Sequence, residues 1–145
     1  TPINFLVQER DYIYRAENKK AAKQDARRRT IVRWQEEWMN SDKAAWTRKL
    51  IKEIGPWVDR KYGSTDYYLT QFLIGHGRFA VYAKRMGKVD RDTCFYCGAE
   101  DTVDHTVFNC QQWVEKRIGV ANLQVNTDNI IEKMLLSKTN WDKIK

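Results

Sequence analysis

An all-α fold is what this sequence predicts, and three observations predict it. Large apolar side chains recur at spacings of three and four along most of the 145 residues. Gly, Pro, Ser and Asp interrupt those stretches where helices start or stop. Nothing alternates apolar with polar at period two over a useful length, so no strand is expected. The length suits one domain or a domain with a small appendage. Six Trp, seven Tyr and five Phe supply the apolar surface for a core.

Taken in order, Pro2 fits the N1 position of a first helix running to about Arg15. A long polar helix follows, from about Glu17 to Asn40, whose last part carries Ile31, Trp34 and Trp38 on one face. Ser41 or Asp42 can cap the next helix. In it Trp46, Leu50, Ile54 and Trp57 form one stripe, with Gly55-Pro56 as a kink or break. Spacing makes these tryptophans core residues rather than base-stacking platforms. Gly63-Ser64-Thr65 makes a turn, and Thr65 can N-cap Asp66 to Ile74. Gly75-His76-Gly77 ends that helix, with His76 as a C-cap bonding to backbone rather than a catalytic base. A helix from Arg78 to Met86 stops at Gly87. After a cysteine cluster, Ile130, Ile131, Met134 and Leu135 mark a late helix. The opening Thr1-Pro2 lacks an initiator Met, and Trp141 to Lys145 reads as the start of a helix. Both suggest a piece of a longer chain. The expected organisation is a basic helical region at 1–91, a cysteine-rich knuckle at 92–113 and a C-terminal helical tail at 114–145 packing on the rest.

The charge is uneven. The net charge is +7 and the pI about 9.4. Before Cys94 there are 20 Lys/Arg against 12 Asp/Glu, or +8; from Cys94 onward there are 6 against 7, or −1. The densest stretch holds Arg15, Lys19, Lys20, Lys23, Arg27, Arg28, Arg29 and Arg33 against only Glu17 and Asp25. Such a balance favours polyanionic partners, RNA or DNA first. The plainer reading is a solvated face. Arg27, Arg28 and Arg29 point in three directions around a helix, so at least one is expected to pack over a tryptophan. No stretch is long and apolar enough to span a bilayer and no signal-peptide pattern opens the chain, so no membrane partner is expected.

All three cysteines lie within seventeen residues together with one of the two histidines, in the spacing C-x2-C-x7-H-x4-C: Cys94, Cys97, His105 and Cys110. Two cysteines three apart can fold over one metal, and Gly98 lets the chain turn directly after the second. His105 and Cys110 would stand roughly 140° apart on a straight α-helix. The helix carrying His105 is therefore expected to end before Cys110. Four such ligands and no fifth describe a closed tetrahedral site for one structural Zn²⁺ with no open position for catalysis. Three unrelated thiols beside a core histidine would leave the joint spacing unexplained. An odd cysteine count argues against a pure disulfide framework, and the clustering with a histidine implies a metal and a reducing compartment, nucleus and cytoplasm. Phe95 and Tyr96, between the first two ligands, are candidates for stacking on unpaired bases or for packing on neighbouring helices.

Just upstream of the cluster runs Leu69-Thr70-Gln71-Phe72-Leu73-Ile74-Gly75-His76-Gly77-Arg78-Phe79, then Tyr82, Arg85 and Gly87. With the Cys-Cys-His-Cys spacing and with Asp101-Thr102 before His105, this resembles the C-terminal region of non-LTR (LINE-type) retrotransposon reverse transcriptases. The likeness is to arthropod elements with an apurinic-type endonuclease, including those inserting in ribosomal RNA genes. Trp34, Trp38, Trp46-Thr47, Leu50-Ile51, Trp57, Arg60 and Gly63 agree with it. It covers about residues 30–113. Residues 1–29 fit the end of the polymerase thumb or its linker by composition alone, and the remainder fits as a helical tail. Ile74 stands where that family often has Thr, and Gln111 where Pro often follows the last Cys; neither is a ligand. The Tyr-x-Asp-Asp polymerase signature and an endonuclease catalytic set are absent from these residues. The resemblance thus implies a non-catalytic zinc-knuckle module. It would hold template RNA and/or target DNA during target-primed reverse transcription, alongside the rest of the polyprotein. The competing expectation is a structural or protein-interaction zinc module that docks on the polymerase or a host protein.

Overall fold

The computed structural model describes residues 1–145. It contains nine α-helices and no strand; one isolated bridge joins Thr93 and Glu100. The chain divides into two compact units, residues 1–43 with 51–60, and residues 44–50 with 61–145.

In the first unit α1 (Ile3–Arg15) and α2 (Lys19–Asn40) form a hairpin. Pro2 is the N-cap of α1 rather than its first residue, and Asn18 starts α2 two residues later than expected by accepting from the Ala21 N–H at 3.1 Å. Ala22, Ala26 and Thr30, four apart, are buried on α2, and Phe5 of α1 is 1% exposed. Small side chains at that spacing let two helix backbones come close without leaving voids. The other side of α2 receives α4 (Ile54–Val58). Here the Gln35 amide donates to the Lys52 carbonyl at 2.9 Å and accepts from the Ile54 N–H at 2.8 Å. The Trp38 indole donates to the Ile51 carbonyl at 2.8 Å.

These bonds overturn one expectation. Trp46, Leu50, Ile54 and Trp57 do not share a helix; the helix stops at Leu50, and residues 51–53 form a non-helical link whose carbonyls bond to α2 side chains. Gly55-Pro56 does not mark the break. Pro56 lies in the first turn of α4, where the missing N–H would have no helical partner anyway.

The second unit begins with α3 (Ala45–Leu50), which packs on α5 (Tyr67–Ile74). No Ser41 or Asp42 side chain caps α3; Ala44, at φ 54°, precedes it. Trp46 donates its indole N–H to the Phe72 carbonyl at 2.6 Å and meets the Phe72 ring edge-on. The N-cap of α5 is Asp66, not Thr65; its carboxylate accepts from the Leu69 N–H at 2.9 Å. Gly75, in the left-handed region, ends α5, and the His76 N–H returns to the Gln71 carbonyl at 3.1 Å. The His76 ring does not bond to backbone but stacks on Tyr82 of α6 (Ala80–Arg85), centroids 4.4 Å apart. After the cysteine cluster come α7 (Val114–Ile118), α8 (Ile130–Leu135) and α9 (Lys138–Ile144). Met134 and Trp141 are 0% and 1% exposed where α8 meets α9. Trp141 lies in the middle of α9, which starts at the Ser137 cap. Gly63 takes φ +86°, and a Cβ there would collide with the Trp141 ring, so this turn requires glycine on both counts.

Candidate metal centre

The centre assembles in the second unit from a turn and a short helix. Residues 92–101 fold back on themselves: Asp101 N–H donates to Asp92 O at 2.8 Å, and Cys94 N–H to Ala99 O at 2.6 Å. The tip is the turn Cys94–Gly98, closed by Gly98 N–H to Cys94 O at 3.0 Å, with Gly98 at φ +75°. The Cys97 and Tyr96 main-chain N–H groups of this turn favour the Cys94 thiolate. Together with His105 they hold the Cys94 thiol down to about 6.

The other two ligands come from one turn of helix that is wound wider than α. Residues His105–Asn109 are π-helical, and the Cys110 N–H bonds five residues back to His105 O at 2.7 Å. An α-helix would leave residues five apart on different faces. The i→i+5 turn brings them nearly into line, and Cys110 then leaves the helix with extended backbone. The expected end of the helix before Cys110 is therefore present, achieved through a π-turn that the spacing alone did not reveal.

All four ligand atoms lie within 4.8 Å of one another and could hold a metal ion. Cys94 and Cys110 Sγ are 3.8 Å apart, and Cys97 Sγ is 3.2 Å from His105 Nε2. Cys94 and Cys110 are buried, Cys97 is exposed, and no cysteine is in a disulfide. Burial raises the Cys110 thiol, the reverse of the effect at Cys94.

A further layer of polar groups, which sequence reasoning did not assign, positions the ligands. Thr102 caps the ligand helix, its hydroxyl accepting from the His105 N–H at 3.1 Å. Asp101 joins the centre to α6: its carboxylate accepts from Ala80 N–H at 2.8 Å and from the Thr106 hydroxyl at 2.5 Å. Arg117 donates to the Cys110 carbonyl at 2.6 Å, and Thr127 donates to Asp104. Asp101-Thr102 stood out in the sequence through the resemblance; a hydroxyl three residues before a helical His is also a recognisable cap.

The candidate nucleic-acid residues divide into two sets. Arg27, Arg28, Arg29 and Arg33 are engaged within the first unit. Arg27 pairs with Asp59 and Arg28 and Arg29 with Asp25, each at 2.7 Å, while Arg33 donates to Gln8. None of them covers a tryptophan: Arg29 lies over Tyr12 at 4.7 Å and Arg33 near Phe5 at 5.7 Å. Arg15, Lys19, Lys20 and Lys23 are exposed at the α1–α2 corner and pair with no carboxylate. Phe95 and Tyr96 do not pack on helices; they are 89% and 62% exposed. No helix is long and apolar enough to cross a membrane.

No protein-family model, curated protein or solved structure matches this chain.

Proposed function

We propose that the chain is a zinc-stabilised nucleic-acid-binding module of a retrotransposon reverse transcriptase. It would hold RNA and/or DNA while other parts of the polyprotein perform the chemistry. Zinc is the metal that best suits the donor set. A tetrahedral ion with Zn–S bonds of about 2.3 Å separates two sulfurs by about 3.8 Å, and the Cys94–Cys110 distance is 3.8 Å. Three thiolates around Zn²⁺ leave a charge of about −1, so the ion serves the fold and phosphates are bound elsewhere.

The observation that carries the binding reading is the α1–α2 corner. Lys19 and Lys20 are the first two residues of a 22-residue helix, and its first turn holds no acid. The helix dipole opposes cations at that end by about 0.3–1 kcal/mol each. Lys19 and Lys20 nevertheless stand there, with Lys23 one turn further on, while Arg15 ends α1, where the dipole favours a cation, and joins them at the corner. Charges kept where the protein's own field opposes them suit an external polyanion. Changing Lys19, Lys20 and Lys23 together to Glu is expected to weaken binding strongly. On single strands it should also flatten the log–log salt slope by about 0.7 for each phosphate that is no longer neutralised. Unchanged affinity and slope, measured by titration at several salt concentrations, would discard the phosphate role. The second reading, docking on the polymerase or a host protein, draws on the exposed aromatic side chains beside the centre. It takes the lead if the charge reversal has no effect.

A further inference from the structure

Aromatic side chains that the core does not use surround the metal centre. Tyr67 and Tyr68, the first residues of α5, are 70% and 80% exposed. Phe95 projects from the turn between the first two ligands, and Trp113 follows the last one. All four line one groove of about 600 Å³, together with Arg78 and Arg91. The Arg91 guanidinium sits 4.8 Å from the centre of the Phe95 ring. Asp101 is the one acid in the groove wall, and its oxygens already accept from Ala80 N–H and the Thr106 hydroxyl.

We propose that this groove takes unpaired nucleotides, with bases stacked on Tyr68 and Phe95 and phosphates held by Arg78 and Arg91. The proposal rests on the nucleic-acid reading above and deepens it, since it assigns the groove to single strands. Exposed rings are costly to hydrate, and four around one groove mark a binding surface. Every unpaired base offers a π-face to such rings, whereas a duplex keeps its base faces inside its own stack. Arginine both stacks on planar groups and binds phosphate, so cations among aromatics fit a nucleic-acid strand better than an apolar helix. Arg78 is exposed at the groove, while Arg91 donates to the Thr93 carbonyl at 2.9 Å and lies over Phe95, so guanidinium groups stand among aromatic rings, the combination that a stacked strand uses.

The test compares a labelled oligo(dT) or oligo(U) strand with a duplex of the same length, titrated with the full, metal-loaded chain. Tyr68→Ala and Phe95→Ala are each expected to weaken strand binding about ten-fold and to leave duplex binding and the salt slope unchanged. Tyr68→Phe keeps the ring and should keep the affinity. Arg78→Ala should lower strand affinity and flatten its salt slope by about 0.7. The aromatic residues changed are exposed, and metal content with helical circular dichroism verifies that each variant folds. Equal losses on strand and duplex, or no loss at either aromatic position, overturn the groove assignment. Loss of protein docking with strand binding intact overturns it too. If Lys19/Lys20/Lys23→Glu abolishes binding while the aromatic variants bind normally, the groove assignment fails and the broader reading stands. If the unaltered chain binds neither strand nor duplex, both fail.

Discussion

Within the centre, Cys94 and Cys110 are the same residue type in opposite electrostatic settings. Main-chain N–H groups and His105 hold the Cys94 thiol at about 6, far below its ordinary 9.0. Its thiolate therefore stabilises the folded loop fully above that ordinary value, and the contribution is lost as pH falls through about 6. Burial favours the neutral thiol at Cys110, so metal binding must displace its proton. Metal affinity, measured by competition with a chromophoric chelator, should accordingly decline from pH 9 towards 6 and more steeply below about 6. A flat profile over that range would contradict the assignment of these thiols as ligands. Cys97, the exposed ligand, offers a test with little effect on packing. Cys97→Ser should bring metal content, read by mass spectrometry of the native protein, close to zero; full occupancy would remove Cys97 from the ligand set.

Among the elements, α2 organises the first unit, because it supplies the side chains that satisfy backbone groups outside any helix. Residues 51–53 link α3 to α4, and Gln35 and Trp38 bond to the Lys52 and Ile51 carbonyls and the Ile54 N–H there. Gln35→Ala removes both bonds of its amide and should cost about 1–2 kcal/mol in chemical denaturation, with an unchanged denaturant slope. A loss below a few tenths would mean that water replaces the amide without cost. The ligand helix shows a second element-level device. Thr102 caps it, and a π-turn ends it, so two ligands five residues apart reach one ion.

At the scale of the molecule, the four residues that could hold a metal ion all lie in one of the two compact units. A chelator should therefore loosen the second unit selectively. Hydrogen exchange is expected to accelerate through residues 92–113, with Ala80 affected through its bond to Asp101, while the buried face of α2 around Ala22, Ala26 and Thr30 keeps its protection. Simultaneous loss of protection in both units would show a single cooperative domain instead.

The sequence by itself determined the helical class, the left-handed stop at Gly75, the buried late helix with Ile130, Ile131 and Met134, and the four residues that converge on one site. These follow from local chemistry: side-chain periodicity, glycine's access to positive φ, and the short reach of cysteines three apart. Only the tertiary structure decided that the stripe from Trp46 to Trp57 is two helices in different units. Periodicity cannot tell that backbone groups at 51–53 find partners on α2. Tertiary folding also sorted the basic run, pairing Arg27 with Asp59 from 32 residues away and leaving the lysines at the corner unpaired. Composition counts charges, but only the folded chain brings a distant carboxylate to some of them and not to others.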